Sequence, residues 1–380
     1  MNRRTFVGAL ASASLFSSQI LKVKAQPGRA KTPDLQPMLE VTHVPGIAVA
    51  GLRDRKPFQL AAGVAAPGGP PITAETHFPA ASLSKPVFAW AVRDLARQGK
   101  LDLNRPLVDY HNLGLEGDAR KITLVHVLTH STGLPNWLFE ADRQLAVSFD
   151  PGSRWQYSGE GFVLLQRVVE KVVGQPIAEY MSDAVLKPLG MSNSSFAWNP
   201  DIQKSAALGH DRRGQPVERS LAFYEQRNYE TVSKSGRVPA TSTFDQIADA
   251  YKQAKAPLLR VAVSPNMAGS LQTTATDYAK FLARVMADVS TRSEDFKPRV
   301  DVNRNIAWTL GWGVDRSFTP PSFFHWGDGP GFKNFCWVQP AKKTAIVFFT
   351  NGDSGAALYA WLFRQVMMED PSAFYWIQSM

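Results

Sequence analysis

The spacing of apolar residues changes twice along this chain, and that change limits the folds the chain can adopt. Residues 44–52 form a short continuous apolar run beside proline and glycine, which is typical of a buried strand. The middle of the chain repeats apolar residues every three or four positions, which predicts helices over 86–96, 124–130, 162–172, 177–186 and 276–286. β-branched and aromatic runs predict strands over 332–338 and 344–350, followed by a helix over 361–368. An α/β sheet built from both chain ends, with helices inserted between them, fits this order.

Composition narrows the class of protein. The 380 residues, 44% hydrophobic and 20% charged, can bury a large core as two or three units or as one two-lobed domain, which excludes general disorder. The single cysteine excludes a disulfide framework and a cysteine-based structural zinc site. Because no stretch approaches the ~18 consecutive apolar residues of a membrane helix, we expect no stable membrane insertion.

The N-terminus has the features of a targeting segment. Arg3 and Arg4 are adjacent, a weakly apolar alanine- and serine-rich stretch covers 7–21, and a small-residue cleavage site ends at Ala25. Residues 1–25 resemble a bacterial twin-arginine signal, so we expect a periplasmic or secreted protein. The alternative, an amphipathic helix, is disfavoured by the serine and glycine content. Cleavage would remove four positive and no negative residues and lower the formal net charge from +9 to +5, which gives no reason to expect a nucleic acid partner.

A serine and a lysine three residues apart are the first candidates for chemistry. Segment 78–86 ends an extended stretch and opens a helix, so Ser82 and Lys85 would lie one turn apart on the same face. A serine hydroxyl is a poor nucleophile until a base takes its proton. A lysine can be that base only when burial or neighbouring positive charge lowers its pKa. Alone the pattern is weak, because a helix cap followed by a solvated lysine has the same spacing.

Two later segments carry groups that could complete such a site. Tyr157 precedes a predicted helix, so its hydroxyl is expected on a loop, where it could share a proton with Lys85. Segment 324–332, with the sequence FHWGDGPGF, lies between two strand candidates and is interpreted as a glycine-rich turn. Its backbone N–H groups could approach a ligand closely, as an oxyanion hole requires.

In order and spacing, these segments resemble the three motifs of the serine β-lactamase and penicillin-binding-protein superfamily. The motifs are Ser82-x-x-Lys85, Tyr157-Ser158-Gly159 and His325-Trp326-Gly327. The nearest branch contains class C β-lactamases, serine DD-peptidases and carboxylesterases of the same fold. Segments 44–47, 76–78, 128–135, 186–191, 268–274 and 329–332 also correspond, so the resemblance covers roughly residues 40–365.

The resemblance implies an α/β (α+β) protein of β-lactamase/transpeptidase-like fold. An antiparallel sheet flanked by helices is expected from residues 26–88 and 265–380, and a mainly helical lobe from residues 89–264. The expected partner is a small-molecule ester or amide substrate, and neither a metal nor a cofactor is expected. The motifs carry no information on the oligomeric state.

The resemblance also assigns roles to individual residues. Ser82 would be the acylated nucleophile, with Lys85 and Tyr157 moving protons. The backbone N–H groups of Ser82 and Asp328 would form the oxyanion hole. The expected substrate-binding residues are His325, Trp326, Gly327 and Gly159, with Trp326 lining an apolar acyl pocket.

Three positions depart from the pattern or conflict with the expected chemistry. The second motif usually ends in an asparagine that contacts the amide of β-lactam or peptide substrates, and Gly159 stands there. The third motif often begins with a lysine that meets a substrate carboxylate, whereas His325 is largely neutral at pH 7 unless its pKa is perturbed. Both differences favour ester hydrolysis. The Asp328 carboxylate would repel an oxyanion unless it points away.

Several alternatives remain at this point. The nearest enzymatic ones are a β-lactamase, a DD-peptidase or a D-aminopeptidase. A catalytically inactive module that binds cell-wall fragments is disfavoured by the joint presence of Ser82, Lys85 and Tyr157. Residues 352–355, Gly-Asp-Ser-Gly, lack the setting of a chymotrypsin-like nucleophile, and His126 and His130 lack the glutamate of a zinc-binding helix.

Overall fold

An eight-stranded antiparallel sheet forms the centre of the protein, as seen in a computed structural model that describes residues 33–140 and 143–380. The N-terminal part contributes β1 (Gly46–Arg53) and β2 (Lys56–Gly63). The C-terminal part contributes β5 (Val300–Asp301), β6 (Ile306–Trp308), β7 (Gly313–Asp315), β8 (Ser322–Gly329), β9 (Phe332–Gln339) and β10 (Thr344–Thr350). The order is β2-β1-β10-β9-β8-β7-β6-β5, and β1 pairs with β10. The two chain ends therefore meet in one sheet, which confirms the predicted fold class.

Helices fill the chain between the two groups of strands. They are α2 (Ser84–Arg97), α3 (Leu124–Leu128), α4 (Gly159–Val173), α5 (Ile177–Met181), α6 (Pro200–Ser205), α7 (Leu221–Ser233), α8 (Phe244–Gln253) and α9 (Ala275–Thr291). α1 (Gln36–Thr42) precedes the sheet, and α10 (Tyr359–Met367) and α11 (Ser372–Gln378) follow it. A small second sheet joins β3 (Phe78–Pro79) to β4 (Gln272–Thr273). Every described strand of the large sheet lies within 46–63 or 300–350, and the boundaries of the two predicted lobes stay a prediction.

The large sheet is covered on both faces, which explains its continuous apolar runs. Along β10, Ala345, Val347 and Phe349 join the core cluster that contains residues of α2 and α9. Ile346 and Phe348 join the cluster on the other face, with residues of α1, α10 and α11. All seven residues of β10 are therefore buried. A strand covered on both sides needs apolar residues at successive positions rather than at alternate ones.

Segment 324–332 differs from its interpretation as a turn. Residues up to Gly329 continue β8, which pairs with β9 as far as Gly329 and Phe332. Only the tight connection through Pro330 and Gly331 is a turn, and Gly331 has a φ of 81°, which favours glycine. The glycines before it lie in the strand because they allow close approach to a neighbouring segment.

The proposed export signal over 1–25 lies outside the described residues. Within 33–140 and 143–380, no helix is long and apolar enough to cross a membrane.

Candidate active site

Ser82 lies on a short 3-10 helix, Ala81–Leu83, that runs directly into α2. Ala81 has a φ of 49°, an unfavourable conformation for alanine that the surrounding structure must hold in place. Ser84 provides part of that support. Its hydroxyl donates to the Ala81 carbonyl oxygen (2.7 Å) and accepts from the Leu271 N–H (3.0 Å). The turn leaves the Ser82 side chain partly exposed at the start of the helix.

Lys85 lies under Ser82 and is buried without a counter-ion among the described residues. Its Nζ donates to Ser82 Oγ (3.0 Å) and to the Ala268 carbonyl oxygen (2.7 Å). The side chain is 1% exposed, and this burial lowers the pKa of Lys85 well below its ordinary value. The short distance and the lowered pKa suit an amine that accepts the Ser82 proton.

Tyr157 lies on the loop that precedes α4, and its ring packs next to Lys85. Lys85 Nζ lies 4.9 Å from the centre of its ring. Burial raises the pKa of the Tyr157 phenol, and a contact with Ser82 opposes that shift. The hydroxyl is buried, and it makes no hydrogen bond of ordinary geometry to any described side chain. The structure thus brings together the three side chains that the sequence predicted to act together.

His325 lies in β8 and presents a neutral ring. Burial and then repulsion from Lys85 lower the pKa of His325 to about 3. Its Nδ1 donates to the Trp326 carbonyl oxygen (2.8 Å), because a carbonyl can only accept. The buried Nε2 therefore carries a lone pair, and no described group donates to it.

His130 is a further member of the site, and its position was not predicted. Its ring stacks on Tyr157 with centres 4.1 Å apart, and its Nδ1 accepts the Ser158 N–H (3.1 Å). Nε2 therefore carries the proton, and it has no described acceptor. Burial, followed by repulsion from Lys85, lowers the pKa of His130 well below 6.5. The sequence signal that could have identified His130 is a histidine among small polar residues, directly after the apolar run 124–128.

The two histidines that were considered for zinc do different things. His126 caps α3, where its Nδ1 accepts the Thr123 N–H (3.2 Å), while His130 belongs to the Tyr157 cluster. Among the residues that the structure describes, no group of histidine, cysteine and acidic side chains is arranged to hold a metal ion.

Strand β8 passes very close to the segment that carries Ser82. A Cβ atom at Gly327 would lie 2.3 Å from the Ala80 carbonyl oxygen, so only glycine fits there. Asn334 of β9 fixes the approach, because its Nδ2 donates to the Pro79 carbonyl oxygen (2.9 Å). β7 pairs with β8 only as far as Phe324, so it leaves the edge of β8 beyond Phe324 uncovered. This arrangement places the Asp328 backbone on the same side of the molecule as Ser82.

The Asp328 carboxylate is directed to solvent. Its side chain is 60% exposed and pairs with Lys333 Nζ (2.6 Å), which also lies 3.3 Å from Asp353. The negative charge is therefore compensated by a neighbouring ammonium group. The conflict between this carboxylate and a nearby oxyanion is thereby reduced.

The remaining predicted positions are Trp326 and Gly159. Trp326 is half-buried, with its ring centre 5.2 Å from that of Tyr157 and 5.5 Å from that of Trp376 in α11. Gly159 is the first residue of α4, and the Trp137 indole lies against it. This contact was not predictable from the sequence, because the two residues are distant along the chain.

The chain is similar to known proteins over most of its length. A family model described as beta-lactamase matches residues 34–365. Esterase EstB of Burkholderia gladioli is 31% identical over 214 residues, which are 48% of this chain and 54% of the esterase. This match therefore spans about half of the esterase's length. Penicillin-binding protein 4 of Amycolatopsis lactamdurans is 24% identical over 351 residues, 86% of each chain.

Solved structures share the fold at low identity. A class C beta-lactamase superposes with a TM-score of 0.67 at 19% identity, over 88% of this chain and 95% of that one. The octameric penicillin-binding protein homologue from Pyrococcus abyssi has a TM-score of 0.66 at 21% identity, over 87% of this chain and 75% of that one. At these identities the superpositions establish the fold alone.

Proposed function

Because the chain belongs to the beta-lactamase family of serine hydrolases, we propose that it is a carboxylesterase acting on small or medium acyl esters through an acyl-enzyme on Ser82. The observation that carries this proposal is the state of His325. A neutral ring whose free nitrogen can only accept a hydrogen bond does not attract a substrate carboxylate. The similarity to an esterase supports the same choice.

In the acylation step, neutral Lys85 takes the proton of Ser82. The Ser82 oxygen then attacks the ester carbonyl carbon, and the backbone N–H groups of Ser82 and Asp328 bind the oxyanion. As the tetrahedral intermediate collapses, the bond from carbon to the alcohol oxygen breaks. That oxygen takes a proton from Tyr157, which recovers one from the Lys85 ammonium. The alcohol leaves, and Lys85 is neutral again.

In the deacylation step, water takes the place of the alcohol. It gives a proton to Lys85 through Tyr157 as its oxygen attacks the acyl carbon. The bond to Ser82 breaks, the Ser82 oxygen recovers that proton, and the carboxylic acid leaves. Burial raises the pKa of Tyr157 and lowers that of Lys85, so the amine is the base and the phenol passes the proton on.

A β-lactamase, DD-peptidase or D-aminopeptidase is the second candidate. The relatives include a penicillin-binding protein and a beta-lactamase of Yersinia enterocolitica, the latter 27% identical over 53% of this chain. Gly159 counts against these activities because it has no side chain to contact a substrate amide. An inactive binding module would have no need for a buried lysine held 3.0 Å from a serine.

We also propose a periplasmic or secreted location from residues 1–25, which fractionation of cells producing the full chain would test.

The test compares hydrolysis of p-nitrophenyl butyrate and nitrocefin by the full-length protein. We expect fast ester turnover and little nitrocefin cleavage, with both lost in Ser82→Ala and retained in the exposed control Ser293→Ala. A serine-reactive fluorophosphonate should label the wild type and fail to label Ser82→Ala. Dominant nitrocefin cleavage would reverse the preference for esters, and activity surviving in Ser82→Ala would remove the mechanism.

A further inference from the structure

The Trp137 indole occupies the space into which a side chain at position 159 would extend. A Cβ atom at Gly159 would lie 2.5 Å from Cζ2 of Trp137, 2.6 Å from Cη2 and 2.8 Å from Cε2. These separations are far below van der Waals contact, so the indole and any side chain at 159 exclude each other. Gly159 is the second-motif position at which the resemblance expects a substrate-contacting side chain, so the indole lies where that side chain would extend.

Both neighbours of Trp137 are tied to the first turn of α4. The Asn136 carbonyl oxygen accepts the N–H groups of Gly159 (3.0 Å) and Glu160 (3.1 Å), and Asn136 Oδ1 also accepts the Gly159 N–H (3.0 Å). On the other side, the Leu138 N–H donates to Glu160 Oε1 (2.9 Å). The position of the indole is therefore fixed by the backbone on both sides.

A partly buried ion pair holds this anchor in place. The Glu160 carboxylate is fully buried, and its second oxygen accepts a hydrogen bond from Arg260. The indole itself is only half-buried. One surface of the ring covers Gly159, and part of the ring stays accessible.

We propose that Trp137 determines substrate specificity by forming an apolar wall beside Tyr157, against which the acyl chain of the ester lies. The indole surface offers no hydrogen-bond acceptor. Each methylene of the acyl chain that packs against it and leaves water should raise the affinity for the substrate about 4-fold. By filling the space at 159, it also prevents any polar side chain there from contacting a substrate amide. The substrate class is thus esters with apolar acyl chains of butyryl length or longer. This inference rests on the proposed esterase function.

The test is a double-mutant cycle with two substrates. The variants are Trp137→Ala, Gly159→Ala and the double variant, assayed with p-nitrophenyl acetate and p-nitrophenyl butyrate. Because butyrate has two more methylenes than acetate, Trp137→Ala should lower the butyrate-to-acetate ratio of kcat/KM by up to about 16-fold. Gly159→Ala should lower it too, since the new methyl displaces the indole. Once the indole is gone that methyl meets no clash, so the double variant should resemble Trp137→Ala alone.

Two controls separate this effect from general disturbance. Gly161→Ala adds a methyl to the same helical turn at ordinary distances, 3.4 Å from Thr132 Cγ2 and 3.5 Å from Val127 Cγ1, and should leave the ratio unchanged. Trp361→Ala removes a half-buried tryptophan from α10 and should also leave it unchanged. Thermal melting and fluorophosphonate labelling check folding, and Trp137→Phe replaces Trp137→Ala if the latter does not fold.

The wild type and the variants decide different questions. If the wild type shows no Ser82-dependent ester hydrolysis, the esterase proposal fails and this inference fails with it. If the wild type hydrolyses esters but Trp137→Ala lowers both substrates equally, the esterase proposal stands and the specificity role of Trp137 is overturned. Additive effects in the cycle would overturn it as well.

Discussion

At the scale of single residues, burial displaces the pKa values of Lys85 and Tyr157 in opposite directions. Burial disfavours the charged form of each group, which is the ammonium of lysine and the phenolate of tyrosine. Burial therefore shifts the equilibrium of both groups towards their neutral forms beside Ser82. In this site the lysine is prepared to accept a proton and the tyrosine to donate one, without any carboxylate to assist them among the described neighbours.

The pH profile of ester hydrolysis tests that assignment. Activity should be lost as the pH falls through the pKa of Lys85, because the protonated amine cannot take the Ser82 proton. We expect the midpoint of this limb well below 10.5 in kcat/KM for p-nitrophenyl butyrate. Lys85→Arg, whose guanidinium stays protonated, should lose at least about 10³-fold in activity. The control Lys187→Arg changes an exposed lysine and should leave both the rate of ester hydrolysis and the acidic limb of the pH profile unchanged. If Lys85→Arg shows the same acidic limb as the wild type, the assignment of Lys85 as the base is contradicted.

The sequence showed only part of this site, for a physical reason. Ser82 and Lys85 were recognisable because one helical turn brings them together, and Tyr157 because it precedes a helix start. Trp137 and Gly159 are 22 residues apart and meet only after the loop docks on α4. Their contact depends on tertiary packing, which no local spacing encodes.

At the scale of elements, strands covered on both faces were easier to predict than amphipathic surface helices. β10 begins and ends at the predicted residues, because all of its positions are buried and the five between its terminal threonines are apolar. α7 was not predicted, since it buries only Ala222, Asn228 and Val232 and its apolar stripe is weak. α9 was predicted to begin at Thr276, but it begins at Ala275, because the Thr274 hydroxyl caps it by accepting the Asp277 N–H, while the Thr276 hydroxyl donates to Gln59. Cap positions depend on which residue keeps an extended backbone.

The docking of α11 depends on one buried carboxylate. Asp315, at the end of β7, accepts from the Ala373 N–H (2.9 Å) and the Ser372 hydroxyl (2.7 Å) at the start of α11. It also accepts from the backbone and the hydroxyl of Ser317. The helix in turn places Trp376 against Trp326 and Trp155. One side chain thus connects the end of β7 to the aromatic cluster behind Tyr157.

Removing that carboxylate should detach the helix. Asp315→Ala leaves buried donors unpaired, so we expect a loss of about 3 kcal/mol in the free energy of unfolding and early proteolytic cleavage near Pro371. Urea unfolding and limited proteolysis measure the two effects. The control is Asp301→Ala, which removes an exposed ion pair with Arg316 away from α11 and should cost less than about 1 kcal/mol. Equal losses in the two variants would show that Asp315 does not anchor α11.

At the scale of the whole molecule, buried ionisable groups tie stability to pH in opposite directions. Burial lowers the pKa of His325 to about 3, so the stability it contributes is full above about 6.5 and is lost as the pH falls towards 3. His130 acts in the same direction. Glu170 behaves oppositely, because burial raises its pKa to about 7 against hydrogen bonds from Phe244 and Ile177. Its contribution is full below about 4.5 and is lost as the pH rises through 7.

These opposing losses predict a broad stability maximum between about pH 4.5 and 6.5, with a decline on either side. Glu170→Gln mimics the protonated acid and should raise the stability at pH 8, relative to that at pH 4.5, by up to about 3 kcal/mol compared with the wild type. His325→Gln should flatten the decline below about pH 4.5 in the same way, since an amide does not take up a proton. Urea unfolding from pH 4 to pH 9 measures both, with the exposed variant Glu230→Gln as the control. If Glu170→Gln follows the wild type at every pH, the buried carboxylate is not the group that limits stability in neutral solution, and the alkaline decline must come from elsewhere in the fold.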